Sequence, residues 1–89
     1  MAAGLVERSE LIWRLRQLRS FADVTTRDVE ASTGVTKSTI SRVEKVGTRD
    51  LEILERLCAF YGRFTAVELR VVDLLDATFD TRVWLNPAA

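Results

Sequence analysis

The chain has 89 residues, 47% of them apolar, with one Pro and four Gly, the makeup of a single ordered domain so small that one compact core must stabilise it. With no His and a lone Cys58, it has no imidazole base for a catalytic triad, no His- or paired-Cys zinc site and no intrachain disulfide. The 13 basic and 13 acidic side chains cancel, but residues 1–49 carry nine basic against six acidic and residues 50–89 carry four against seven, so a polyanion is attracted to one end and repelled from the other.

The opening "MAAGLVERSE" has no basic stretch followed by an apolar run, and nothing approaches the roughly 20 apolar residues of a membrane span. A reducing, cytoplasmic setting is expected, with Cys58 a small buried filler inside an apolar segment. From Glu7 to Ser20, Leu11, Leu15 and Leu18 recur at helical spacing with Arg14, Arg16, Gln17 and Arg19 between them, which predicts an amphipathic first helix. Trp13 points away from that apolar stripe. Thr25 and Asp28 form a capping box for a short second helix that Gly34 stops. Thr36 caps a third, in which Ile40 and Val43 face inward while Lys37, Ser38, Ser41, Arg42 and Lys45 face out.

After Gly47-Thr48, the broad stripe Leu51, Ile53, Leu54, Leu57, Cys58, Phe60 and Tyr61 predicts a fourth helix packed on two sides and ended by Gly62. Thr65-x-x-Glu68 reads as a second capping box, opening a fifth helix with Val67, Val71, Leu74, Leu75 and Phe79 on one face and Arg70, Asp73 and Asp76 on the wet side. Val83-Trp84-Leu85 reads as a small strand or an extended tail over the core, stopping at Pro87. The expected fold is all-α, a compact bundle of about five helices spanning 1–89, with no internal repeat.

Two short helices joined by a glycine bend, the second buried on one side and small, polar and cationic on the other, have the layout of a helix-turn-helix. Its outward side chains must be slim or able to reach base edges in the major groove, while its inward ones lock it to the rest of the domain. From Leu11 to Gly62 the sequence resembles the XRE, or Cro/repressor-type, helix-turn-helix family. Leu15, Leu18 and Arg19 match the family's opening helix, Val29 its second helix, Gly34 and Val35 its turn, and Ile40, Val43 and Glu44 its "Ile-Ser-Arg-Ile-Glu" ending. Glu30 is a departure, standing where the family usually has Ala; it implies a rotated second helix or a side chain bent out toward Lys37 or Arg42.

The resemblance implies a lambda-repressor-like bundle that binds a double-stranded DNA operator and regulates transcription in a bacterium or a phage-infected host cell. It implies base readout by Lys37, Ser38, Ser41 and Arg42, and backbone contact by Thr26, Thr36, Thr39, Lys45 and Arg49. No catalytic residue, cofactor or metal is expected, since the chain offers no phosphate-cradling Gly loop and no carboxylate pair that falls in a cleft. Two rival readings stand beside this one: an autoregulating antitoxin that covers a toxin, and an interaction module of the same fold without DNA contact. Trp13, Trp84 and Leu85 are the candidate surface for a homodimer or for a protein partner engaged through the fifth helix and tail. The tail itself is the other candidate cover for Trp13.

Overall fold

In a computed structural model that describes residues 4–86, five α-helices and a short 3-10 turn follow one another, in the expected order as far as Gly62. Helix α1 (Arg8–Ala22) buries Leu11, Leu15 and Leu18, and α2 (Thr26–Thr33) is opened by the expected box. The Thr25 hydroxyl accepts from Asp28 N at 3.1 Å, and the Asp28 carboxylate accepts from Thr25 N at 3.0 Å. The Thr25 backbone N–H, and after it the Thr25 hydroxyl, hold the Asp28 carboxyl below its ordinary pKa. Gly34 closes α2 at φ 78°, a left-handed turn that costs other L-residues a Cβ clash. Helix α3 (Lys37–Val46) starts on the Thr36 hydroxyl, which accepts from Thr39 N at 3.2 Å.

Helix α4 (Leu51–Tyr61) begins at Asp50, whose carboxylate accepts from the backbone N–H groups of Glu52 and Ile53. It buries Leu54, Leu57, Cys58, Phe60 and Tyr61, whereas Leu51, expected inward, lies in the first turn and stays exposed. Burial, and after it the charges of Asp73 and Glu55, push the Cys58 thiol up to about 12. Cys58 is therefore expected to resist iodoacetamide at pH 8 in the folded chain and to react at once in guanidinium chloride, as read by intact mass.

Beyond Gly62 the structure departs from the expectation. Helix α5 is confined to Val71–Leu75, and Thr65 opens no helix: its hydroxyl donates to Val67 O at 2.7 Å, with Gly62 O the alternative acceptor at 3.2 Å. Leu69 explains the change. Only 6% exposed, it lies so close over the end of α4 that a Cβ on Gly62 would come within 3.4 Å of the Leu69 Cβ, so the chain turns and bends through residues 62–67 and coils only after the extended backbone of Arg70. Val67, expected on the buried face, is 41% exposed.

The N-terminal segment closes the same end of the molecule. Val6 N donates to Leu75 O at 2.8 Å and Ala77 N to Gly4 O at 3.3 Å, making an isolated antiparallel bridge rather than a strand. Residues 81–83 form the 3-10 turn, in place of the strand or extended tail expected there, and the next residue drops into the core. Trp84 is 1% exposed and stacks on Phe79 at 4.7 Å between ring centres. Its Nε1 is buried without an acceptor among the described residues. Pro87 lies outside the described residues.

Arg14, read as part of the polar face, is buried at 3% exposure. It falls on the same stripe as Leu11, Leu15 and Leu18, and its guanidinium reaches the carbonyl oxygens that end α5.

Candidate nucleic-acid interface

The second and third helices are held by neighbours that fix the outer face of α3. Ile40, Val43 and Glu44 point inward at 1%, 2% and 8% exposure, against α1 and α2. Glu44 reaches Arg19 on α1 through two bonds, Nε to Oε2 at 2.7 Å and Nη2 to Oε1 at 2.8 Å, while Arg19 Nη1 donates to Val24 O at 3.3 Å. The carboxylate holds the Arg19 guanidinium above its ordinary pKa. One fork thus ties the end of α3 to the end of α1 and to the connection that leads into α2.

The turn is braced too. The Thr33 hydroxyl donates to Val29 O at 2.7 Å and accepts from Val35 N at 3.1 Å, while Arg56 on α4 donates to Thr33 O at 3.1 Å with Glu52 holding its other nitrogen at 2.8 Å. The Arg56 bond satisfies the Thr33 carbonyl, which the end of α2 would otherwise leave open. From the sequence, Arg56 is only part of a polar edge.

With the inner face fixed, Lys37, Ser38, Ser41, Arg42 and Lys45 are all exposed on the opposite side of α3, and Arg49 is exposed in the loop that follows. Among the described residues none of these cations has an acidic partner. Glu30 is half-buried and pairs with neither Lys37 nor Arg42. Thr36 is exposed, but its oxygen is occupied by the cap and its hydroxyl donates to Thr39 Oγ1 at 2.9 Å, so the two threonines hold each other.

Thr26 opens α2, half-buried, beside Arg27, which is exposed and likewise has no acidic partner among the described residues. Sequence reasoning passed over Arg27. Its place in the first turn, two residues after the capping Thr25, was the available signal, because a helix N-terminus with a cation beside it suits a phosphate.

A family model described as a helix-turn-helix domain matches residues 10–77, from the first turn of α1 to just past α5. The chain belongs to that helix-turn-helix family. Comparison with curated proteins and with solved structures gives no match. Within the helix-turn-helix, α2 and α3 are the paired helices and Thr33–Thr36 the turn, a framework of DNA-binding regulators. Among the described residues, no helix is long and apolar enough to cross a membrane and no group of three or more His, Cys, Asp or Glu could hold a metal ion.

The three residues expected to form a partner surface do not lie together on the outside. Trp13 is 45% exposed, but Trp84 is enclosed between Phe79 and the Arg14 guanidinium, 5.9 Å from its ring, and Leu85 packs on the core. Trp84 is removed as a contact residue because its ring fills the space left at the end of α5. The exposed apolar side chains in the segment from Phe64 to Val83 are instead Phe64, Val67, Val72 and Val83.

Proposed function

We propose that this helix-turn-helix domain is a sequence-specific, double-stranded DNA-binding transcriptional regulator of the Cro or repressor type, acting by occluding its operator in the cytoplasm. The observation that carries it is the outer face of α3: Lys37, Ser38, Ser41 and Arg42 are exposed and free of acids while Ile40, Val43 and Glu44 anchor the opposite side. In this reading Lys37 and Arg42 donate to guanine O6 and N7, and the two serines bond whichever base edge they meet. Thr26, Thr39, Lys45 and Arg49 hold the backbone, with Thr36 acting chiefly through the cap.

Selection of duplexes from a random pool supplies the test site. Arg42→Ala is expected to weaken binding to the selected duplex by about 1 to 3 kcal/mol and to relax preference at one base position, with the melting curve unchanged. Lys45→Ala is expected to weaken binding to all duplexes alike and to lower the log–log salt slope by about 0.9. Equal affinities for wild type and Arg42→Ala would remove that residue from base readout.

A second reading, an antitoxin that also covers a protein partner, is supported by the exposed Phe64, Val67 and Val72 around α5. Co-purification of a small protein that Val72→Glu releases would favour it.

A further inference from the structure

Away from the outer face of α3, a second surface joins exposed apolar side chains to free cations. Where the N-terminal segment, the end of α3 and the start of α4 meet, there is a half-open groove of about 500 Å³. Leu54 lines it at 1% exposure, while Leu5, Val46 and Leu51 stand at 74%, 53% and 58%. Its charged lining residues are Arg8 and Arg49, and among the described residues neither pairs with an acid. The Arg8 stem lies across Gly47, where an added Cβ would meet its Cγ at 3.0 Å, so both arginines flank the same loop.

Exposed apolar side chains gathered beside polar ones mark an interaction site. The charge says what kind. A two-fold contact with a second copy through this face would set each copy's Arg8 and Arg49 near the other's, two cations against two, which disfavours self-pairing. An anionic occupant satisfies both arginines, and a half-open apolar groove suits one face of a helix better than a small molecule, which needs enclosure on most sides. We propose that this groove docks an acidic amphipathic helix of another protein, with its apolar anchors on Val46, Leu51 and Leu54 and its carboxylates toward Arg8 and Arg49. Because Arg49 also lies on the proposed duplex face, the partner and DNA compete for it.

The test is selection from a random library of peptides of about 15 residues, the length at which an isolated helix begins to hold, displayed against the full chain without DNA. The expected binders carry apolar residues at i, i+3 or i+4 and i+7 with Asp or Glu between them. Arg8→Gln combined with Arg49→Gln is expected to weaken them roughly tenfold or more, and Leu51→Glu to abolish binding. Leu51 is exposed in the first turn of α4, where a carboxylate suits the helix dipole, so that variant folds and circular dichroism verifies it. Four results would each overturn the proposal: no enrichment, binders that are basic or uncharged, binders indifferent to these substitutions, and a dimer in sedimentation that Leu51→Glu dissolves. Since the selection contains no DNA, its outcome is independent of the duplex reading.

Discussion

Arg14→Met is expected to lower stability by about 3 kcal/mol and the melting temperature by roughly 12 to 24 °C, on a scale of about 4 to 8 °C per kcal/mol for a domain of this size. The guanidinium donates to the carbonyls of Asp73, Leu74 and Asp76 at 3.1, 3.0 and 2.9 Å and to Phe79 O at 3.4 Å, while its Nε donates to Glu10 at 2.9 Å. A helix as short as Val71–Leu75 has few internal bonds, and most of its carbonyls lie in the unsatisfied last turn. Arg14 supplies those donors and sets a positive charge at the negative end of the dipole. Methionine keeps most of the aliphatic bulk and removes every donor, leaving the buried Leu74 carbonyl open at about 1 to 3 kcal/mol and the part-buried carbonyls of Asp73, Asp76 and Phe79 open at less. Trp84, stacked beneath the guanidinium, reports the event. In a Trp13→Phe background, its emission is expected to move to the red below the main transition as the last segment detaches. Arg14→Lys restores only part of the loss, because an ammonium cannot span the same fork of acceptors. A melting curve superposable on wild type would show that α5 holds without this cap.

The same residue shows where sequence reading stops. Position 14 falls on the stripe of Leu11, Leu15 and Leu18, so periodicity places it inside while its charge argues for water, and the structure sides with periodicity. What resolves the conflict is a helix end some sixty residues away, and no local pattern announces it. Caps, by contrast, are local. Thr25 with Asp28, Thr36 with Thr39, and the glycine bend at Gly34 involve groups within four residues of one another, and all were legible. Thr65-x-x-Glu68 has the same local signal and formed no cap, because the chain turns back there to bury Leu69 over Gly62, which outweighs the hydroxyl's preference. The outer face of α3 was legible as the complement of Ile40 and Val43. The enclosure of Trp84 was not, since it depends on how a short tail folds across α1 and α5.

Glu44→Ala is the change expected to act hardest on the interface itself, lowering stability by about 3 kcal/mol. The Glu44 side chain is 10% exposed and that of Arg19 30%, so removing the carboxylate leaves a partly dehydrated guanidinium with only Val24 O for company. Exposure of Arg19 keeps the figure at the low end of what a broken buried pair costs. The informative variant is the double replacement Arg19→Met with Glu44→Leu. If the single loss comes from a stranded charge, an apolar pair of similar volume removes the penalty, and much of the stability returns. Equal destabilisation of the single and double variants would instead assign the loss to packing along α1 and α3. Duplex affinity then separates the remaining roles. The fork joins α3, α1 and the entry to α2, so a double variant that is stable but binds the selected duplex weakly would make the pair an orienting device for the outer face of α3. Restored affinity would make it a stabilising contact whose place the apolar side chains can take.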